Sequence, residues 1–182
     1  MNTGTISMRY ARALLAYAKE QNVEDAIYGN MLQLLHTLVT IRELPVLLRA
    51  PALSKRERVK LICSAVESSP VFENFARLVV KKEREPLLPF IAHCYISIYR
   101  SCKNIKAVEL TTAVTAGEEL KEKITAFMSQ NGTVNVELFC KEDPSIIGGF
   151  ICETESKRLD ASILGSLNRI RKQLIKENRK LV

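Results

Sequence analysis

The residue types best suited to chemistry cluster between Asp143 and Leu167. The stretch reads Asp143-Pro-Ser-Ile-Ile-Gly-Gly-Phe-Ile-Cys152, a charged turn, then Arg158-Leu-Asp-Ala-Ser-Ile-Leu-Gly-Ser-Leu167. Gly148 and Gly149 could bring backbone N–H groups up to a phosphate, and Asp160 with Ser162 offers a carboxylate beside a hydroxyl. A phosphate cradle, however, places its glycines after a strand and before a helix. Here the glycines open an apolar strand, with no Lys-Ser/Thr and no third glycine directly behind them. Close backbone packing or a bulge explains the pair better. An activated serine needs a base, and both histidines, His36 and His93, lie far away in sequence. Asp and Ser at a strand-to-helix junction are the types that cap free helix N–H groups. The stretch therefore reads as geometry, and no catalytic residue is expected.

The cysteines do not change this. Cys63, Cys94, Cys102, Cys140 and Cys152 form no close pair, which argues against both a disulfide framework and a zinc site. Most fall at apolar periodic positions and are expected to be small buried hydrophobes in a reducing compartment. No cofactor or metal is implied.

The elements that must position the stretch follow from pattern. With 182 residues, 47% apolar and 26% charged, the chain is neither disordered nor membrane-spanning, and its 6% aromatic content without Trp favours an aliphatic, helix-rich core. No apolar run approaches the roughly 18 residues a spanning helix needs. The N-terminus carries no secretory or import pattern, so a bacterial cytoplasmic protein is the simplest reading.

Residues 1–105 show helical spacing throughout. Tyr10, Ala13, Leu14, Tyr17 and Ala18 form one stripe, and Ile27, Met31, Leu34, Leu35 and Leu38 a second. A short segment spans Leu44–Leu48, closed by Pro51. Ser54 and Glu57 make a capping box for a fourth helix, and Ser69-Pro70 starts a fifth as N-cap and first helical residue. Pro86 and Pro89 bracket the start of a sixth.

Beyond Asn104 the character changes. Lys106–Thr115 predicts a strand, Gly117–Gln130 a helix ended by Asn131-Gly132, and Val134–Lys141 a strand of period two. Ile146–Thr154 is expected to form a hairpin with that strand through Asp143-Pro144, and a last helix to start near Ser162. The fold class is thus α+β and multidomain: a six-helix bundle over 1–105, then a small β-α-β-β-α domain over 106–182, joined only at about Cys102–Lys106.

Charge is unevenly spread over the net of +7. Residues 1–105 carry 15 Lys/Arg against 9 Asp/Glu, 106–160 carry 6 against 10, and 161–182 carry 6 against 1. Separate faces for separate partners would produce this, and nucleic-acid binding is the rival reading. The basic end (Arg169, Arg171, Lys172, Lys176, Arg179, Lys180) alternates with Ile170, Leu174 and Ile175 and not with stacking aromatics, which favours a partner-docking face.

Three motifs in order resemble one family. Arg9-Tyr-Ala-Arg-Ala-Leu-Leu-Ala-Tyr-Ala-Lys19, Asn74-Phe-Ala-Arg-Leu-Val-Val-Lys-Lys-Glu-Arg-Glu-Pro-Leu-Leu-Pro89, and Pro144-Ser-Ile-Ile-Gly-Gly-Phe150 with Leu159-Asp-Ala-Ser162 are similar to the delta subunit of F-type ATP synthases. The mitochondrial homologue is the oligomycin-sensitivity-conferring protein. The resemblance implies a non-catalytic stator subunit, tying the catalytic head to the peripheral stalk so that rotation is coupled to ATP synthesis. It implies an alpha-subunit N-terminal helix lying on the first and fifth helices, at Tyr10, Ala13, Leu14, Tyr17, Phe75, Leu78, Val79 and Lys82. It implies b subunits meeting the last helix, at Leu167, Arg171 and Leu174, and Gly148, Gly149, Asp160 and Ser162 as a structural signature. It further implies peripheral attachment, through the complex, to the cytoplasmic side of a bacterial inner membrane, with no small-molecule substrate. Ala161 stands where the family usually has Gly, and Leu164 and Ser166 where it often has Arg.

Overall fold

The computed structural model describes residues 3–41, 43–48, 50, 53–67, 69–129, 134–154 and 156–178. It is α+β, with eight α-helices and one four-stranded sheet among these residues. The chain divides into two compact units, Met1–Cys102 and Lys103–Val182.

The first unit is built from α1 (Thr3–Glu20), α2 (Glu24–Thr40), α3 (Leu44–Leu47), α4 (Lys55–Ser64), α5 (Pro70–Lys81) and α6 (Leu88–Lys103). Local chemistry starts two of them. The Ser54 hydroxyl accepts from Glu57 N–H at 3.3 Å while the Glu57 carboxylate accepts from the Ser54 hydroxyl at 2.7 Å and from Ser54 N–H at 2.8 Å; the hydroxyl bond, then the backbone one, holds the Glu57 pKa below the usual carboxylate range. Ser69 caps α5 by accepting from Phe72 N–H at 3.3 Å, with Pro70 at the first helical position. Asn22 and Glu83 end α1 and α5 in left-handed backbone, and the following residues donate back to Ala18 and Val79 carbonyls.

The core of this unit is mostly aliphatic. Met31, Leu34, Phe72, Val79, Leu88, Ile91 and Tyr95 are fully enclosed. Arg58 and Glu85 cross it as a largely buried ion pair at 3.1 Å, with Arg58 also donating to the Ala50 carbonyl at 3.0 Å. The sequence stripe on α1 needs correction. The buried face is Ser7, Ala11, Leu14, Leu15 and Ala18, while Ala13 and Tyr17 turn outward. The unbroken apolar run Ala13–Ala18 covers several sides of the helix, so periodicity alone admits two stripes.

The second unit runs β1 (Ile105–Thr112), α7 (Glu118–Met128), β2 (Asn135–Glu142), a 3-10 turn at Pro144–Ile146, β3 (Phe150–Glu153), β4 (Arg158–Asp160) and α8 (Ile163–Asn178). The strand order is β2-β1-β3-β4. β1 pairs with β2 in parallel, Ile105 opposite Asn135 through Thr112 opposite Glu142. β1 pairs with β3 antiparallel, and β3 with β4 antiparallel.

This overturns the expected hairpin between β2 and β3, because β1 lies between them. Asp143 N–H donates to Thr112 O at 2.8 Å, which fastens the end of β2 to β1, and the 3-10 turn then carries the chain to the far side of β1. The hairpin is β3–β4, closed by the charged turn, and β4 is formed by Arg158–Asp160, which the sequence reading placed in no strand. The domain is therefore β-α-β-β-β-α. Val108, Leu110, Ala116, Ile124 and Cys152 make its core. The cysteine expectation is also corrected: Cys152 is buried, Cys63 and Cys94 are half-buried, and Cys102 and Cys140 are exposed. The helix stop expected at Asn131-Gly132 and the close at Pro51 lie outside the described residues.

Candidate docking surfaces

The signature stretch is a tight backbone knot. Gly149 has φ +74°, and a Cβ there would stand 2.3 Å from the Ala161 carbonyl oxygen. Ala161 N–H donates to Phe150 O and Ile163 N–H to Gly148 O, both at 3.0 Å, so β3–β4 pairing continues up to the first residue of α8. Gly148 faces the Ile163 side chain, whose Cδ1 would lie 2.8 Å from an added Cβ. Glycine is required at 149 by conformation and by close approach together.

Ser162 is 2% exposed and caps α8: its Oγ accepts from Gly165 N–H at 2.9 Å and donates to Asp160 Oδ1 at 2.6 Å. Asp160 Oδ1 also accepts from Ser162 N–H at 3.0 Å. The hydroxyl bond, then the backbone bond, hold the Asp160 pKa below the usual carboxylate range. A carboxylate made less basic in this way is poorly suited to take the serine proton. His36 and His93 lie in the other unit. The N–H groups that an anion would want, on Ser162, Ile163 and Gly165, are already donated within the knot. Gly165, which the sequence reading passed over, is fixed for the same reason, since a Cβ there would stand 2.6 Å from Asp160 Oδ1.

What the knot launches is α8, a helix with no buried residue among those whose side chains are described, 163–176. Ile163, Leu167, Ile170 and Leu174 share one face at helical spacing, flanked by Leu164 and Ile175, and all six are exposed. At about 100° per residue Arg171 falls inside that face, while Arg169, Lys172 and Lys176 fall on the opposite side. The three residues expected on this helix, Leu167, Arg171 and Leu174, are therefore together and accessible.

On the first unit, Tyr17 is 40% exposed and Leu78 is 47% exposed; Ala13 and Lys82 are also outward, and Tyr10 is half-buried. Leu14, Phe75 and Val79 are buried in the core of their own unit. These three are therefore not accessible in this structure, whereas the other five expected contact residues are at least partly exposed. Arg84 is the residue the sequence reading missed. The left-handed turn at Glu83 returns the chain, and the Arg84 guanidinium lies 5.4 Å from the Tyr10 ring centroid, linking α1 to the end of α5. Its role depends on a contact between residues 74 apart in the chain, which no local pattern announces.

Neither surface holds a catalytic grouping, and no cluster of metal-ligating side chains occurs among the described residues. Fold and surfaces define a class: a two-unit protein whose accessible features are apolar helix faces rimmed by charge. Residues 6–174 match the family model for the ATP synthase delta (OSCP) subunit. Relatives named ATP synthase subunit delta are 40% identical in Phocaeicola vulgatus and 38% in Bacteroides fragilis, each over all of both chains. In Rickettsia bellii such a relative is 32% identical over 96% of this chain and 94% of its own. A chain in the cryo-EM structure of the Toxoplasma gondii mitochondrial ATP synthase hexamer shares the fold, with TM-score 0.67 and 22% identity over 93% of this chain and 97% of its own.

The chain belongs to the ATP synthase delta (OSCP) family, a non-catalytic component of the stator. Nothing in these relatives supports the nucleic-acid reading. No helix among the described residues is long and apolar enough to cross a membrane.

Proposed function

We propose that the chain joins the catalytic head of a bacterial F-type ATP synthase to its peripheral stalk, one unit per partner. The first unit, taken as a six-helix bundle over 1–105, receives the N-terminal helix of an alpha subunit on the α1/α5 surface. Tyr17 and Leu78 are its apolar anchors, Ala13 gives close approach, and Tyr10, Arg84 and Lys82 border it. The second unit, over 106–182, meets the C-terminal end of the b subunits through Leu167, Leu174 and Arg171 on α8. The protein is thereby held at the cytoplasmic side of the inner membrane through the complex, and it resists the torque of the rotor.

The observation that carries this reading is the presence of two exposed apolar helix faces on two separate compact units. Co-purification of the full chain with alpha and with b tests each half. Leu78→Asp with Tyr17→Asp is expected to abolish capture of alpha and spare b, and Leu167→Asp with Leu174→Asp the reverse. Retention of alpha by the first pair would remove the groove assignment, and retention of b by the second would remove that of α8.

A further inference from the structure

A recess lies beside α5. It is a cleft of about 470 Å³ between α4 and α5, floored by half-buried Val59 and buried Val80. Lys55, Arg56, Lys60, Arg77 and Lys81 surround it, with Glu73 as the only carboxylate among the described lining residues. Glu73 is already paired with Arg77, and Lys55 with Glu83. Arg56, Lys60 and Lys81 make no ion pair among the described residues. The long cationic side chains contribute apolar stems to the walls and charged heads to the rim.

We infer that this cleft is a second docking groove, for an acidic amphipathic segment of a partner polypeptide. The chemistry is complementary on both counts. Aliphatic anchors fit a floor of two valines, and Glu or Asp beside them meets a rim on which five cations outnumber one carboxylate, although Lys55 and Arg77 are ion-paired and Lys60 also interacts with Glu57. The groove lacks the aromatic platforms on which nucleobases stack, which disfavours a nucleic acid on the same charge. It is also distinct from the alpha-facing surface: Leu78 is one residue from Arg77 and so about 100° round α5.

The test titrates the full chain with three labelled probes. One is a blocked helical peptide with Leu at i, i+3, i+4 and i+7 and Glu elsewhere, one is its Lys counterpart, and one is a short DNA duplex. The acidic peptide is expected to bind in a salt-sensitive way, about tenfold more weakly to Lys60→Glu/Lys81→Glu and unchanged to Leu78→Asp. Both substituted lysines are exposed, so the far-UV spectrum should not move. The inference is overturned if the acidic peptide fails to bind or the Lys peptide binds equally well. It is overturned equally if Leu78→Asp removes binding that the double reversal leaves intact. DNA binding of equal strength that the double reversal abolishes would show a generic polyanion surface and would also overturn it.

Discussion

Replacing Gly149 with Ala tests the reading of the signature stretch as geometry. Two penalties add. The left-handed backbone at φ +74° costs an L-residue about 1–2 kcal/mol. The new Cβ, at 2.3 Å from Ala161 O and 3.1 Å from Ser162 Cα, meets backbone that cannot rotate away. The strands must separate, straining the bonds from Ala161 to Phe150 and from Ile163 to Gly148, each worth about 1 kcal/mol net. The expected loss is about 3 kcal/mol in the second unit. Gly148→Ala is the control: its Cβ meets only the end of the Ile163 side chain and should cost under about 1 kcal/mol. All five tyrosines, Tyr10, Tyr17, Tyr28, Tyr95 and Tyr99, lie in the first unit and Trp is absent. Urea unfolding followed by far-UV dichroism reports both units, while tyrosine fluorescence reports the first. Gly149→Ala should lower the dichroism midpoint, and amide exchange should place the loss in β3, β4 and the start of α8. Equal, small effects of the two substitutions would refute the argument.

Three further outcomes follow from the same structure. Glu85→Ala leaves the largely buried Arg58 without its carboxylate and should destabilise the first unit by about 3 kcal/mol, measured by denaturation, with Glu85→Gln closer to wild type. Asp160 has a folded pKa below its unfolded value, so its contribution is present above the unfolded pKa and is lost as pH falls through the folded one. Stability measured below about pH 4 should therefore decline less steeply in Asp160→Asn than in the native chain. Tyr99→Phe deletes the 2.6 Å bond from the Tyr99 hydroxyl to Asp25 Oδ1 but leaves the ring stacked on Tyr28 at 4.2 Å. A loss of about 1 kcal/mol is expected, seen as a Tm lower by several degrees.

What the sequence disclosed divides by the distance over which each interaction acts. The Ser54/Glu57 box, the Ser69-Pro70 start and the Ser162 cap are settled within three residues, and each is legible as a string. The strand order is not, because whether β1 or β3 lies beside β2 depends on contacts between residues tens of positions apart. The alternation in β2 identifies a strand and says nothing of its neighbour. Burial fails for a related reason. Cys140 and Cys102 look periodic yet end exposed, and Leu14 and Tyr17 share a stripe but part company at the edge of α1. Within the candidate surfaces, Asp160 and Ser162 were readable as caps. Arg84 was not, since it acts on a ring 74 positions away that only the fold brings close, and Gly165 was passed over because its need is set by the side-chain direction of Asp160, not by residue type.

The knot and α8 explain one another. A 16-residue helix with no buried side chain among its described residues has little to hold it, and isolated helices of this length are marginal in water because nucleation is costly. Here nucleation is done by the sheet. The pairing of Gly148–Phe150 with Ala161–Ile163 fixes the chain at the first helical residue, and Ser162 and Asp160 tie up the N–H groups that a fraying end would lose to water. The helix can then spend its apolar residues outward instead of on its own core. A packed α8 would need no such start, and a disordered one would charge its partner the cost of ordering a whole helix. The glycines that resemble a phosphate cradle thus act through geometry, because they let a strand hold the end of a helix whose apolar face stays exposed.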